Sequence, residues 1–205
     1  MWDKKIIAIS DSQNTQGDFL NFIEKLSQSS SIDALVLREK HLDELEYTKL
    51  AKEVLKIFNK TQKICFLHYH YEACLKLNHQ FFHVPLIILQ NYPQSYKKFE
   101  LLGTSIHSKE ELDLAYKFKV NHAFFGHVFE SSCKADLTPK GIKNLKDLLE
   151  VSKIPIYAIG GINIQTMNHL KDLNLAGVCI REALYKSKDV KNYVLKCKDL
   201  LVQKD

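Results

Sequence analysis

Apolar residues along this chain fall into two rhythms that alternate from one end to the other. KKIIAIS (4–10) holds a short unbroken apolar run, the mark of a strand buried on both faces. Residues 17–29 then carry Phe19, Leu20, Phe22, Ile23 and Leu26 at helical spacing. IDALVLR (32–38) predicts a second strand. DELEYTKLAKEVLKIF (43–58) predicts a helix with Leu45, Leu50, Val54, Leu55 and Phe58 on one side and lysines and glutamates on the other. QKICFLH (62–68) predicts a third strand, followed by a short helix over 71–78.

The rhythm blurs over 79–97. There QFFHVP predicts a strand that stops before Pro85, and LIILQNYPQSYKKF fits neither period. It returns with LLGTSIH (101–107), a strand, and SKEELDLAYKF (108–118), a helix whose Ser108 and Glu111 have capping-box spacing. HAFFG (122–126) reads as a strand. TPKGIKNLKDLLEV (138–151) reads as a helix capped by Thr138 with Pro139 at its first position. IPIYAIGG (154–161) and AGVCIR (176–181) are strands around a helix at NIQTMNHLKDL (163–173), and 188–203 forms the last helix.

Eight strand–helix units in series imply parallel strands joined by helical crossovers. The fold class is therefore α/β, and the count predicts a (β/α)8 TIM barrel with residues 1–205 as a single domain. The competing architecture is a doubly wound open sheet. That fold usually carries a glycine-rich turn after its first strand, whereas SDSQNTQG here has no GxGxxG.

Composition narrows the function classes. The net charge of +5 is mild and lysines alternate with glutamates, so no basic stripe marks a nucleic-acid partner. No apolar run approaches the roughly 18 residues of a membrane span, and MWDKKIIAIS lacks the features of a signal peptide. The five cysteines are odd in number, widely spaced and without a CxxC pair, which predicts reduced thiols and a cytoplasmic location.

In a barrel of this kind, chemistry sits just beyond the C-terminal ends of the strands. The residues found there are Arg38-Glu39-Lys40, His68 and His70, His83, Ser105-Ile106-His107, Gly126-His127, Gly160-Gly161 and Arg181-Glu182. Glycine is scarce, seven in the whole chain, so an adjacent pair between a strand and a helix implies a backbone requirement. Gly160 and Gly161 could turn their N–H groups toward a phosphate, or simply make a tight turn. Arg38 could hold an anion or pair with Glu39. Lys134 could cover a phosphate or lie in solvent. His68, His70 and His83 could hold zinc, but no carboxylate accompanies them apart from Glu72, so no metal is expected. His41, His79, His122 and His169 read as helix, loop or surface residues. His107 and His127, at strand ends, are the better proton-transfer candidates.

FFGHVFESSCKADLTPKGIKNL with IPIYAIGGIN resembles the TenI branch of the thiamine phosphate synthase/TenI superfamily. LREK (37–40) and GTSIHSKEEL (103–112) are similar to that superfamily's motifs at its second and fifth strands. The resemblance implies a (β/α)8 barrel and one of two chemistries. The synthases join a pyrimidine pyrophosphate to a thiazole phosphate with magnesium, through an acidic motif after the third strand and a further Asp after the fourth. The TenI-like tautomerases move a proton on a carboxythiazole phosphate without metal, using a histidine in GHVFE. In this chain FLHYHYEACLKLNHQFFHVPL (66–86) contains no Asp, and His127 stands where the synthases have proline. Glu182-Ala183 replaces a small Ser-Gly or Ser-Ala step that shares the phosphate.

The expectation is thus a metal-independent thiazole tautomerase of thiamin biosynthesis, with no cofactor. His127 would be its acid/base, Gly160 and Gly161 its phosphate site, and Arg38, Lys134, Ser105 and His107 its other substrate contacts. Its partner would be a small phosphorylated thiazole, with no nucleic acid and no membrane; a homodimer is left open. The alternatives are a thiamine phosphate synthase with an altered metal site and a degenerate barrel that binds a ligand for regulation.

Overall fold

The computed structural model describes residues 4–92, 94, 98–131 and 136–203. Strands β1 (Lys5–Ile9), β2 (Ala34–Leu37), β3 (Ile64–His68), β4 (Phe81–Pro85), β5 (Leu101–Ile106), β6 (His122–Gly126), β7 (Ile156–Ile159) and β8 (Gly177–Ile180) pair in that order. All are parallel, and β8 returns to β1 to close a barrel. Between them run α1 (Phe19–Gln28), α2 (Glu44–Lys60), α3 (Tyr71–Lys76), α4 (Leu86–Asn91), α5 (Lys109–Lys117), α6 (Gly141–Val151) and α7 (Ile164–Met167). Two helices, α8 (Glu182–Tyr185) and α9 (Val190–Val202), follow the last strand. None among the described residues is long and apolar enough to cross a membrane.

The strands are apolar on both faces because each face meets a different core. Outward residues such as Ile6, Leu35, Leu67, Phe82 and Val178 pack under the helices. Inward residues such as Ile7, Val36, Phe66, Phe124 and Cys179 fill the barrel. Alternation by two therefore sorts every strand residue to helix layer or barrel interior.

Helix starts follow local chemistry where a side chain is free to cap. Asp18 caps α1, and Asp43 with Glu46 forms a full capping box on α2. Ser108 caps α5, but Glu111 does not complete a box with it. The Glu111 carboxylate instead accepts from the His107 backbone N–H at 2.6 Å and meets His107 Nδ1 at 2.9 Å.

Three boundaries differ from the sequence reading. The helix expected from Thr138 begins at Gly141, because Lys140 N–H and Gly141 N–H are taken by the carbonyls of His127 and Val128. The helix expected over 163–173 stops at Met167 and continues as turns that bury Leu170, Leu173 and Leu175. The first part of the ambiguous stretch after Pro85 forms α4, Leu86–Asn91, and β4 runs through Pro85, whose missing N–H falls at the strand's last residue.

Candidate active site

A cavity of about 640 Å³ opens at the C-terminal ends of the strands. Arg38, Ser105, His107, His127, Gly160 and Gly161 all line it, joined by Lys40, His68, Arg181 and Lys186. Lys134 lies outside the described residues.

The β2 rim is set by a buried carboxylate. Glu39, 1% exposed, accepts from the hydroxyls of Ser10 and Ser12 and from the Ser12 backbone N–H. Ser10 Oγ in turn accepts from the Arg38 N–H at 2.7 Å. Glu39 therefore ties the β1 loop to the backbone that carries Arg38 and Lys40. Glu39→Ala would orphan these donors. The expected result is a loss of about 3 kcal/mol in unfolding free energy, measured by urea titration, since hydrogen bonds to a buried charge are strong and their donors are left unpaired.

The histidine trio does not assemble. His68 ends β3 inside the barrel and reaches the cavity, with Nδ1 buried and unpartnered. His70 sits at the start of α3, stacked on Tyr47 at 4.1 Å, with Nδ1 3.0 Å from Glu44 Oε2. The i, i+2 relation failed to put both on one face because the strand ends at His68. His83 lies within β4 rather than at its end, and its Nε2 is 3.1 Å from Ser105 Oγ. No group of three metal-capable side chains comes together among the described residues.

Burial, then the nearby charges of Lys40 and Arg38, holds the His68 imidazole well below its ordinary range. His68 is thus a neutral ring beside cations. His122, read from the sequence as helix, loop or surface, is in fact buried at the start of β6 inside the barrel. Burial lowers it to about 4. The strand HAFFG began with it, but its direction into the barrel was not marked, because it directly precedes the apolar run.

His127 is 4% exposed and held at two points. Its Nε2 lies 3.1 Å from the Leu137 carbonyl, so this nitrogen carries the proton. Its own carbonyl accepts from Lys140 N–H at 2.8 Å. Against it packs the β7 turn. Gly160 and Gly161 have φ of +98° and +65°, and a Cβ on Gly160 would lie 2.2 Å from the His127 Cβ. The glycine pair therefore has a packing role in addition to any ligand role. The following helix spans four residues, and the Asn163 side chain accepts from Gln165 N–H and Thr166 N–H. Its N-terminus is thus already capped, and any phosphate must rely on the turn itself.

Glu182 pairs with Lys186. Arg181 approaches Asp11 at 3.6 Å. The carboxylate that replaces the small family residue is therefore neutralised by a cavity-lining lysine. Among the described residues the cavity presents four cations, Arg38, Lys40, Arg181 and Lys186, against the carboxylates of Glu130 and Glu182.

A family described as thiamine monophosphate synthase matches residues 6–184. The thiamine-phosphate synthase of Fusobacterium nucleatum is 26% identical over 195 residues, covering 94% of this chain and 94% of that protein. That of Methanobrevibacter smithii is 24% identical over 191 residues, covering 92% and 91%. The thiamine phosphate pyrophosphorylase structure from Pyrococcus furiosus superposes with a TM-score of 0.81 at 19% identity, over 96% of this chain and 95% of that one. These relatives overturn the tautomerase expectation drawn from His127 and its motif: they are synthases, and they accord with the alternative of a transferase instead.

Proposed function

Since the chain belongs to the thiamine monophosphate synthase family, we propose that it is a transferase that joins a pyrimidine carrying a diphosphate to a thiazole carrying a phosphate. In that reaction the carbon–oxygen bond to the diphosphate breaks and a carbon–nitrogen bond to the thiazole ring forms. The diphosphate leaves with the electron pair. The observation that carries the proposal is the cationic rim. Arg38 and Lys40 follow β2, and Arg181 and Lys186 follow β8, the two strands that flank β1, while the Gly160-Gly161 turn follows β7. Fixed cations aimed at charge that develops on a leaving group stabilise the transition state more than the ground state.

The magnesium that the synthase chemistry implies does not fit the residues that β3 and β4 turn into the barrel. A hard cation takes oxygen ligands, chiefly carboxylates. This chain offers the imidazoles of His68 and His83, the latter bound to Ser105, and Glu44 on α2 is committed to His70 and α3. Of the lining carboxylates, Glu182 is paired with Lys186. No step is therefore routed through a metal. The leaving diphosphate would be met by guanidinium and ammonium groups alone. His107, with Nδ1 directed at Glu111, and Ser105 would orient the rings, and His127 would present an imidazole held by the hydrogen bond from its Nε2 to the Leu137 carbonyl.

Purified protein given the two phosphorylated halves is expected to form thiamine phosphate and diphosphate in the presence of chelator. Arg38→Ala should lower kcat/KM at least about 100-fold, the usual consequence of removing one charge-assisted contact to the reacting group. Failure to form product both with chelator and with added magnesium or manganese would overturn the proposal.

A further inference from the structure

The strand register places four positions side by side across the barrel wall: His68 with His83, His83 with Gly103, and Gly103 with His122. The row rises obliquely, from the first residue of β6 to the last of β3, as tilted strands require. Gly103 is the gap in it. A Cβ there would lie 2.2 Å from His122 Nε2 and 2.5 Å from His83 Nδ1. Both nitrogens are buried and unpartnered. Since both approach one point, they lie no farther apart than the sum of those two lengths. That separation suits a direct hydrogen bond after a small ring rotation, or one bridging water. The other nitrogen of His83, Nε2, is 3.1 Å from Ser105 Oγ, and Ser105 lines the cavity.

We propose that His122 and His83 form a buried hydrogen-bonded relay that turns the Ser105 hydroxyl away from the cavity, so that Ser105 meets the ligand only as a hydrogen-bond acceptor. This rests on the cavity being the substrate site. Each imidazole is neutral and carries one proton, so the chain of bonds has a single direction from end to end. Two observations set that direction. An imidazole nitrogen is a stronger acceptor than a hydroxyl oxygen, which favours Ser105 O–H donating to His83 Nε2. The cavity is rimmed by Arg38 and Lys40, so lone pairs rather than a proton face their positive field. His83 then carries its proton on Nδ1 and donates toward His122 Nε2.

His83 and His122 are positioning residues in this scheme, since neither needs to touch the ligand. The group selected by Ser105 is a donor, such as an amino substituent on a ring. A ring with a methyl group in its place would leave the Ser105 lone pairs unmet, which buried polar sites penalise heavily.

Nitrogen-15 NMR of the whole protein tests the relay without reference to turnover. His83 is expected to be protonated on Nδ1 and His122 unprotonated on Nε2. His122→Phe should disturb the His83 tautomer, and His122→Gln, whose amide oxygen can accept, should restore it. With 4-aminopyrimidine and 4-methylpyrimidine as probes, the wild type should prefer the amino compound at least about tenfold, with His122→Phe losing that preference and His122→Gln keeping it. A His83 ring protonated on Nε2 would overturn the proposal, as would an unchanged tautomer in a folded His122→Phe. Lack of thiamine phosphate formation with the expected tautomers present would sink the proposed reaction and leave the relay standing.

Discussion

Gly160→Ala is expected to lose most of its activity, at least about 100-fold, and about 3 kcal/mol of stability. The residue stands at φ +98°, where an L side chain is strained, and its new methyl group would fall 2.2 Å from the His127 Cβ and 2.6 Å from its Cα. Strain and overpacking each contribute on the order of 1–3 kcal/mol. The collision is with backbone, so relief requires the β6 and β7 loops to part. A displacement of about 1 Å among reacting groups is enough for a 100-fold loss. Gly17→Ala is the control, since Gly17 has φ +77° but nothing within 4 Å of the added carbon. Denaturant titration and steady-state kinetics on both variants separate backbone strain from collision. Equal behaviour of the two would show that contact between the glycine turn and His127 has no energetic weight.

The second large effect is acid lability. Burial lowers His122 from 6.5 to about 4 in the folded protein, while an unfolded chain takes up the proton near 6.5. Between those two values the unfolded state binds more protons, so stability falls as pH falls. The full loss from this one group is about 3 kcal/mol, complete at about pH 4 and absent above about pH 7. His83 and His68 act in the same direction. Burial is the first cause in each. His122 and His68 add to it for His83, and Lys40, Arg38 and His70 for His68. Urea midpoints measured from pH 7.5 down to pH 4 should drop steeply through this window. His122→Phe, which keeps an aromatic ring among Phe66, Phe124 and Tyr157, should flatten the profile. Parallel profiles for the two proteins would show that His122 is not buried uncharged.

Much of the barrel is legible in the chain because its strands are buried on both faces. A strand such as IDALVLR must be apolar at successive positions whatever its neighbours, so local composition reveals it. The rim residues are legible for a related reason. A polar or glycine residue directly after an apolar run marks where a strand leaves the core, and Arg38, Ser105, His107, His127, Gly160 and Gly161 all line the cavity. The start of α6 was not legible, since Thr138 and Pro139 have good local credentials. It is set by hydrogen bonds from Lys140 and Gly141 to a strand end distant in sequence.

The choice of reaction shows the limit of a motif. His127 in its glycine-led setting suggested proton transfer on one substrate, yet the relatives act as synthases. Its neighbourhood became interpretable only through Leu137, which fixes the proton, and the glycine turn, which fixes the ring's place.

By itself the sequence determined the alternation of strands and helices, hence a parallel closed barrel, and which residues stand at its reactive rim. Those properties follow from burial and periodicity, which act over a few residues. Only the tertiary structure decided that His70 leaves the site for Glu44, that Glu182 is neutralised by Lys186, and that His83 and His122 face each other across Gly103. Each depends on the register between strands or the packing between layers. A register is a relation between distant segments, and it is settled when the barrel closes.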